Sequence, residues 1–396
     1  YLKLGHDLTM KSYSKDKYKL NREALKKKVH NIQNVLKICC HQSDPTTSDI
    51  PDCLARSKVY TTSARHFSLF VRTIIAGSTI DGFLQRCADI ANEKQQHAIK
   101  INFECLLADQ ERMKSISKSD ENYNTKMKEL EKEFKTYNEG IKEDKSICAH
   151  YYYQYGRYLL RKSDSEENIR RLDLRVRARE QLRQSLRLRK ELAKTPVAIA
   201  DMVYSLLQLG NISKNIAITE FQLEYTNRSE ESSEQAKECY QKAIKLSKEN
   251  LGDNELTSSC HKYLGDLFLS TKQSRKAEKE YTIAKEMREK LALNTNERHV
   301  FLLNNLGQCL TKNKQETEAI EILENARDMA EKLAENDEPN VCKAKVYTSL
   351  AIAYDSMKKN SDAVKYANKA LGFEKAINQN VVEKLRKIAS NNVQTK

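Results

Sequence analysis

Along most of the chain, apolar residues recur every three or four positions, the spacing that puts them on one stripe of a helix. Residues 22–41 carry Leu25, Val29, Ile32, Val35, Leu36 and Ile38 in this way, which predicts a single helix. Residues 52–75 form a second long segment, with Phe67, Leu69, Phe70 and Ile74, and Gly77 is expected to break it. Residues 81–93 and 95–113 follow as a pair. Residues 121–144 are highly charged, with Met127, Leu130, Phe134 and Tyr137 as a narrow stripe. That stripe is too short for a coiled-coil seam, so one packed helix is expected. All four prolines, at 45, 51, 196 and 339, fall between these segments. Proline is excluded from helix interiors, so each marks a connection.

The C-terminal half repeats. Leu264-Gly265, Leu306-Gly307 and Leu350-Ala351 align, and the second residue of each pair is followed 12 positions later by Ala277, Ala319 and Ala363. Seven positions beyond these come Ala284, Ala326 and Ala370. Phe268, Leu310 and Tyr354 stand three after the Gly or Ala. The period is 42 and then 44 residues. Upstream, Leu209-Gly210 with Ala236, Tyr240 and Ala243, and Tyr155-Gly156 with Ala178, Leu182 and Ser185, share the pattern with Gly-to-Ala offsets of 26 and 22. The extra residues there are polar and predict extended helices or a loop. A small residue midway along a first helix lets a second helix approach closely. Paired alanines on the second helix let the next unit dock. No unit could bury its stripe alone, so the units must stack. The expected fold is all-α, a right-handed superhelical stack of antiparallel helix hairpins.

Composition agrees with that picture. Of the 396 residues 31% are charged and 39% hydrophobic, with 10 Gly, 4 Pro and no Trp. This is too apolar for general disorder and poor in helix breakers. The ten cysteines form no C-x-x-C pair and are read as buried thiols of a reducing, cytoplasmic setting rather than disulfides or metal ligands. Cys39, Cys40 and His41 are adjacent, but neighbouring positions on a helix point apart. No apolar run approaches the ~20 residues of a membrane-spanning helix. The glycines are isolated, so neither a P-loop nor a dinucleotide fingerprint exists, and no zinc-protease or nucleophile-elbow motif appears. No enzyme, cofactor or metal site is therefore expected.

The net charge of +14 is uneven. Residues 150–195 hold thirteen basic and six acidic side chains, a net of +7. Arg171, Arg175, Arg179 and Arg183 recur every four residues and so share one helix face. They form either a solvated surface or an anion site, since the planar guanidinium bonds both oxygens of a carboxylate or phosphate at once. An acidic peptide fits better than nucleic acid, because few aromatic residues are interleaved to stack bases.

The Leu-Gly, Ala, aromatic, Ala spacing resembles the tetratricopeptide repeat. Its long period and Leu303-Asn304-Asn305-Leu306-Gly307 are similar to the repeats of kinesin light chains and nephrocystin-like proteins. The usual Trp is missing throughout. The resemblance covers residues 146–375. It implies a non-enzymatic scaffold that binds extended peptides along its first helices. The matching positions here are Asn211, Lys262, Asp266, Asn304, Asn305, Gln308, Lys312, Thr348 and Asp355. The alternative for the asparagines is plain hydrogen bonding between repeats. Residues 1–43 resemble the helical junction behind the winged-helix domain of STAND-type signalling ATPases, with Glu23, Asn31-Ile32 and Leu36 in the matching places. That resemblance implies a fragment starting at Tyr1: a sensor half whose nucleotide-binding domain lies upstream. The expected organisation is a junction (1–43), divergent hairpins (52–145), repeats (146–375) and a C-terminal helix and tail (376–396). A kinesin-light-chain-like cargo adaptor and a nucleic-acid-binding solenoid are the rival readings.

Overall fold

The computed structural model describes residues 17–40, 77–114, 121–141, 143–333, 341–374 and 377–390, with a few positions before 17. Every element among them is a helix. The expected helix over 52–75, Pro45, Pro51, Pro339 and His41 lie outside the described residues.

The chain divides into two compact units, Tyr1–Leu256 and Thr257–Lys396. In the first, α1 (Tyr18–Lys26) and α2 (Val29–Cys40) precede α3 (Gly77–Glu93) and α4 (His97–Lys114). There follow α5 (Glu121–Thr136), a single turn α6 (Asn138–Ile141), α7 (Lys145–Ser163), α8 (Asn168–Leu192), α9 (Pro196–Gln222) and α10 (Thr226–Leu251). The pairs α3–α4, α7–α8 and α9–α10 are hairpins, and α4 packs on both α5 and α7. The second unit continues with α11 (Glu255–Ser270), which begins at the division, then α12 (Ser274–Lys290), α13 (Glu297–Lys312) and α14 (Glu316–Leu333). It ends with α15 (Val341–Ser356), α16 (Asn360–Leu371) and α17 (Gln379–Ser390). Successive helices from α12 to α17 pack on one another, and α13 also touches α15.

Three expected boundaries are corrected. The helix of 22–41 is two helices, interrupted at Lys27 and Lys28. The helix of 121–144 ends at Thr136. The helix expected over 81–93 starts earlier, at Gly77. The widened Gly-to-Ala offsets come from longer helices: α8, α9 and α10 have 25, 27 and 26 residues, against 16 for α11, α13 and α15.

Local chemistry sets the starts and stops. Asp144 caps α7, its carboxylate accepting from the N–H groups of Ser146 and Ile147 at 3.1 and 3.2 Å. Thr195 caps α9, with Pro196 at the first helical position, where its missing N–H costs nothing. The helices α11, α13 and α15 end alike. Lys272, Lys314 and Lys358 adopt the left-handed conformation, at φ 59°, 62° and 57°. The N–H after each lysine reaches back to Phe268, Leu310 and Tyr354. This is the Schellman closure, with lysine at the position glycine usually fills.

The small residues sit where close approach demands them. A Cβ on Gly156 would stand 2.9 Å from Leu182, on Gly210 2.5 Å from Tyr240, on Gly265 2.7 Å from Tyr281 and on Gly307 2.5 Å from Leu323. Each large residue lies four positions after the matching alanine. Ala178, Ala236, Ala277, Ala319 and Ala363 are all buried.

Candidate functional site

On each first helix, the residue after the small one and those two and three before it project onto one face. In the second unit this face is a polar network. Asp266 is its centre: its carboxylate accepts from Lys262 Nζ at 2.7 Å, from the Tyr281 hydroxyl at 2.7 Å and from Asn305 Nδ2 at 3.0 Å. The last bond crosses from one hairpin to the next. Asn304 Nδ2 donates to Asn305 Oδ1 at 3.4 Å, while its own buried Oδ1 has no partner among the described residues. Gln308 Nε2 donates to Ser349 Oγ at 3.0 Å and so joins α13 to α15. Lys345 lies over the Phe301 ring, 5.0 Å from its centroid, and Lys262 lies 4.9 Å from that of Tyr263.

The electrostatics follow from this geometry. Burial opposes the charge on Lys262, but Asp266 outweighs it and raises the ammonium above the usual lysine range. Desolvation, and then the charge of Lys262, hold Lys345 below that range. Two ammonium groups therefore act on each other across a single carboxylate, a field that suits an incoming acidic side chain.

Of the residues singled out in sequence, Lys262, Asp266, Asn304 and Asn305 are brought together, and Gln308 joins them on the same face. Thr348 turns its hydroxyl to the Ala344 carbonyl at 2.8 Å, a bond within its own helix. Lys312 is exposed and Asp355 half-buried, and neither makes one of these bonds. Asn211 belongs to the first unit, where its Oδ1 accepts from the Tyr240 hydroxyl at 2.7 Å. Phe301, Lys345, Ser349 and Tyr281 were not anticipated. Their signal was present: Phe301 and Lys345 both stand six positions before the small residue of their helix.

The four arginines of α8 do not form one open face, which corrects the expected anion site. Arg175 is buried and built into the hairpin: its guanidinium donates to Ser163 Oγ, Asp164 Oδ1 and the Asn215 carbonyl at 3.1, 3.1 and 2.7 Å, and to the Thr219 hydroxyl. Arg171 donates to Asn168 at 3.1 Å and Arg179 to Gln235 at 3.2 Å. Burial and the neighbouring Arg183 hold Arg179 below its ordinary range. Of the four, Arg183 alone is exposed, 3.9 Å from Glu180.

Among the described residues no group of His, Cys, Asp and Glu has the geometry of a metal site. Cys87, Cys105, Cys148, Cys239, Cys260, Cys309 and Cys342 are free thiols. Burial pushes those of Cys309 and Cys342 up to about 12, far from thiolate formation. No described helix is long and apolar enough to cross a membrane.

Residues 300–373 match the family model of the tetratricopeptide repeat. No curated protein matches the chain. Among solved structures, a STAND protein from Pyrococcus horikoshii with a tetratricopeptide-repeat sensor is 14% identical over 91% of this chain, with a TM-score of 0.50. The match takes in only 50% of that protein's length. The kinesin light chain TPR-like repeats of Podosopora anserina are 14% identical, covering 57% of this chain and 95% of theirs, with a TM-score of 0.34. YrrB, a TPR protein with an unusual peptide-binding site, is 17% identical over 64% of this chain and 97% of its own, with a TM-score of 0.36. Glycine seats at fixed spacing and paired buried alanines recur through helix hairpins that are the only kind of element among the described residues, and the family match makes residues 300–373 tetratricopeptide repeats.

Proposed function

We propose that this chain is a protein-interaction scaffold that binds an extended, acidic segment of a partner along the first helices α11, α13 and α15. The observation that carries the reading is the Asp266–Asn305 bond at 3.0 Å. It holds side chains of consecutive hairpins in one continuous polar surface, flanked by Lys262 and Lys345. Amide side chains suit a peptide backbone because each offers donors and an acceptor. The lysines favour carboxylates. The test is selection from a phage-displayed peptide library, followed by titration of the selected peptide against Asn305→Ala and Lys262→Ala. Each should weaken binding about tenfold, roughly 1.4 kcal/mol, with helicity unchanged. Lys279→Ala, on the exposed side of α12, should leave it intact. Equal affinity of all variants would refute the site. A steep salt slope with any polyanion, and no sequence preference, would favour the nucleic-acid reading.

We further propose that the repeats over 146–375 serve as the sensor region of a STAND-type ATPase, with residues 1–43 as the junction to its nucleotide-binding part. The resemblance of 1–43 supports this, together with a likeness that spans most of this chain and half of the Pyrococcus horikoshii protein. The open reading frame of the gene decides it: a P-loop one nucleotide-binding domain upstream is expected, whereas a coiled coil there would favour a cargo adaptor.

A further inference from the structure

The helices α8 and α10 are the second helices of consecutive hairpins in the first unit, and their side chains meet. Arg179 of α8 donates to Gln235 Oε1 of α10 at 3.2 Å. One turn on, the charge of Arg183 reaches Cys239. Both pairs stand 56 positions apart, so the same register sets Arg187, Lys190 and Lys194 beside residues 243–250.

This end of the two helices is crowded with exposed charge. Three carboxylates are already taken: Glu180 lies 3.9 Å from Arg183, Glu191 2.6 Å from Lys145 and Glu238 2.9 Å from Lys242. Left over among the exposed residues of 180–194 and 238–250 are Arg187, Lys190, Lys194, Lys245 and Lys248, against Glu249. Five cations and one carboxylate leave an excess of four positive charges. The four lysines make no hydrogen bond or ion pair among the described residues. A lysine in a last turn also complements the helix dipole, which accounts for Lys190 and Lys248. Arg187 and Lys245 lie before the last turn, where that effect has faded.

The partner is set by what the ridge lacks. None of the exposed large hydrophobic residues of the described chain falls within 183–194 or 238–250. A protein interface draws most of its affinity from a few buried aromatic or apolar anchors, and the ridge offers none. A single-stranded nucleic acid needs rings on which its bases stack. A duplex needs neither. It carries one negative charge for every ~1.7 Å of its axis, and release of its counterions drives binding to cations alone. Arg187 and Lys190 are about 4.5 Å apart along α8, as are Lys245 and Lys248 along α10, so neighbouring phosphates can be met together.

We infer that the adjoining ends of α8 and α10 form a docking surface for the phosphate backbone of double-stranded DNA, held without regard to base sequence. The surface is separate from the face proposed in the second unit and stands without it.

The test uses the full chain and fluorescence anisotropy of a labelled 20-base-pair DNA duplex between 50 and 200 mM KCl. Saturable binding is expected, with a dissociation constant on the order of 10⁻⁵ M at 100 mM and a log–log salt slope of about −4 for five phosphate contacts. A duplex of unrelated sequence should bind equally. The double variant Lys190→Gln, Lys245→Gln removes exposed side chains that hold nothing in the fold. It should weaken binding at least tenfold and make the slope shallower by about 2. Lys279→Gln and Asn305→Ala, both in the second unit, should leave duplex binding unchanged, which separates this surface from the peptide face. Polyglutamate of matched charge and vesicles of phosphatidylserine and phosphatidylcholine serve as competitors. The inference is overturned if the duplex does not bind at 50 mM KCl, or if the double variant keeps both affinity and slope. Tighter binding of polyglutamate would assign the ridge to an acidic protein, and tighter binding of the vesicles to a lipid surface, and either result would overturn it as well.

Discussion

The Leu323 side chain packs so tightly on Gly307 that a Cβ there would lie 2.5 Å from its Cγ. Ala351 occupies the place of Gly307 one repeat later, and the residue sixteen positions on is Ala367 rather than leucine, both buried in one cluster. The pattern exchanges volume between facing helices: glycine with leucine or tyrosine, alanine with alanine. Gly307→Ala should therefore cost about 1–3 kcal/mol by overpacking. The double variant Gly307→Ala, Leu323→Ala copies the later repeat at this contact. It should cost clearly less than the two single changes added together, because the clash is gone. Denaturant unfolding of all three variants measures the coupling, and strict additivity would show that the two residues do not constrain each other.

Much of this architecture is legible in the order of residues alone. The Gly and Ala spacing locates every hairpin from α7 to α16, because close approach leaves a mark that polar substitutions cannot blur. The inward turn of Arg175 is not legible. The helix α8 carries apolar residues on several sides, Leu172, Leu174, Val176 and Leu182, so periodicity does not say which face is covered. Val176 proves exposed and Leu174 buried. The break at Lys27 and Lys28 has no proline or glycine to announce it.

Three lysines in the left-handed region offer a gain in stability. Lys272, Lys314 and Lys358 each follow the small residue of their first helix by seven positions. A side chain in that conformation costs roughly 1–2 kcal/mol, and the extra freedom of glycine in the unfolded chain returns part of the difference. Each Lys→Gly change should raise stability by about 0.5–1 kcal/mol. The same substitution at Lys279, inside α12 and exposed, should lower it by about 1 kcal/mol. If Gly at 272, 314 and 358 destabilised as Gly at 279 does, the turn conformation would not be what limits these positions.

Arg175 and Arg183 share a helix face in sequence but not a role. Removing Arg175 strips Asp164, Ser163, Thr219 and the Asn215 carbonyl of a donor at once. Loss of bonds to a charged group in a buried setting should cost about 2–3 kcal/mol in Arg175→Ala. Arg183→Ala should stay within about 0.5 kcal/mol of the parent, because an exposed pair contributes little. Thermal unfolding separates the two, and comparable losses would mean that Arg183 also supports the hairpin.

His299 should make the repeats sensitive to acid. It is buried beside Arg288, its Nδ1 has no partner among the described residues, and burial followed by the Arg288 charge lowers its pKa to about 4. In the unfolded chain a histidine titrates near ~6.5. Between these values the unfolded state holds a proton that the folded state does not, so stability must fall as pH drops through about 6.5 toward 4. Above pH 7 both states are neutral and the residue contributes no pH dependence. The loss should reach the order of 2 kcal/mol by pH 4.5, each unit of separation being worth ~1.4 kcal/mol. His299→Gln removes the titration but keeps a polar side chain of similar reach. Its stability should therefore decline less steeply than that of the parent over pH 6.5–4.5, and match the parent's slope above pH 7. Denaturant midpoints at half-unit pH steps give both slopes. Parallel curves across the acid window would assign the pH dependence to other groups and return His299 to a packing role.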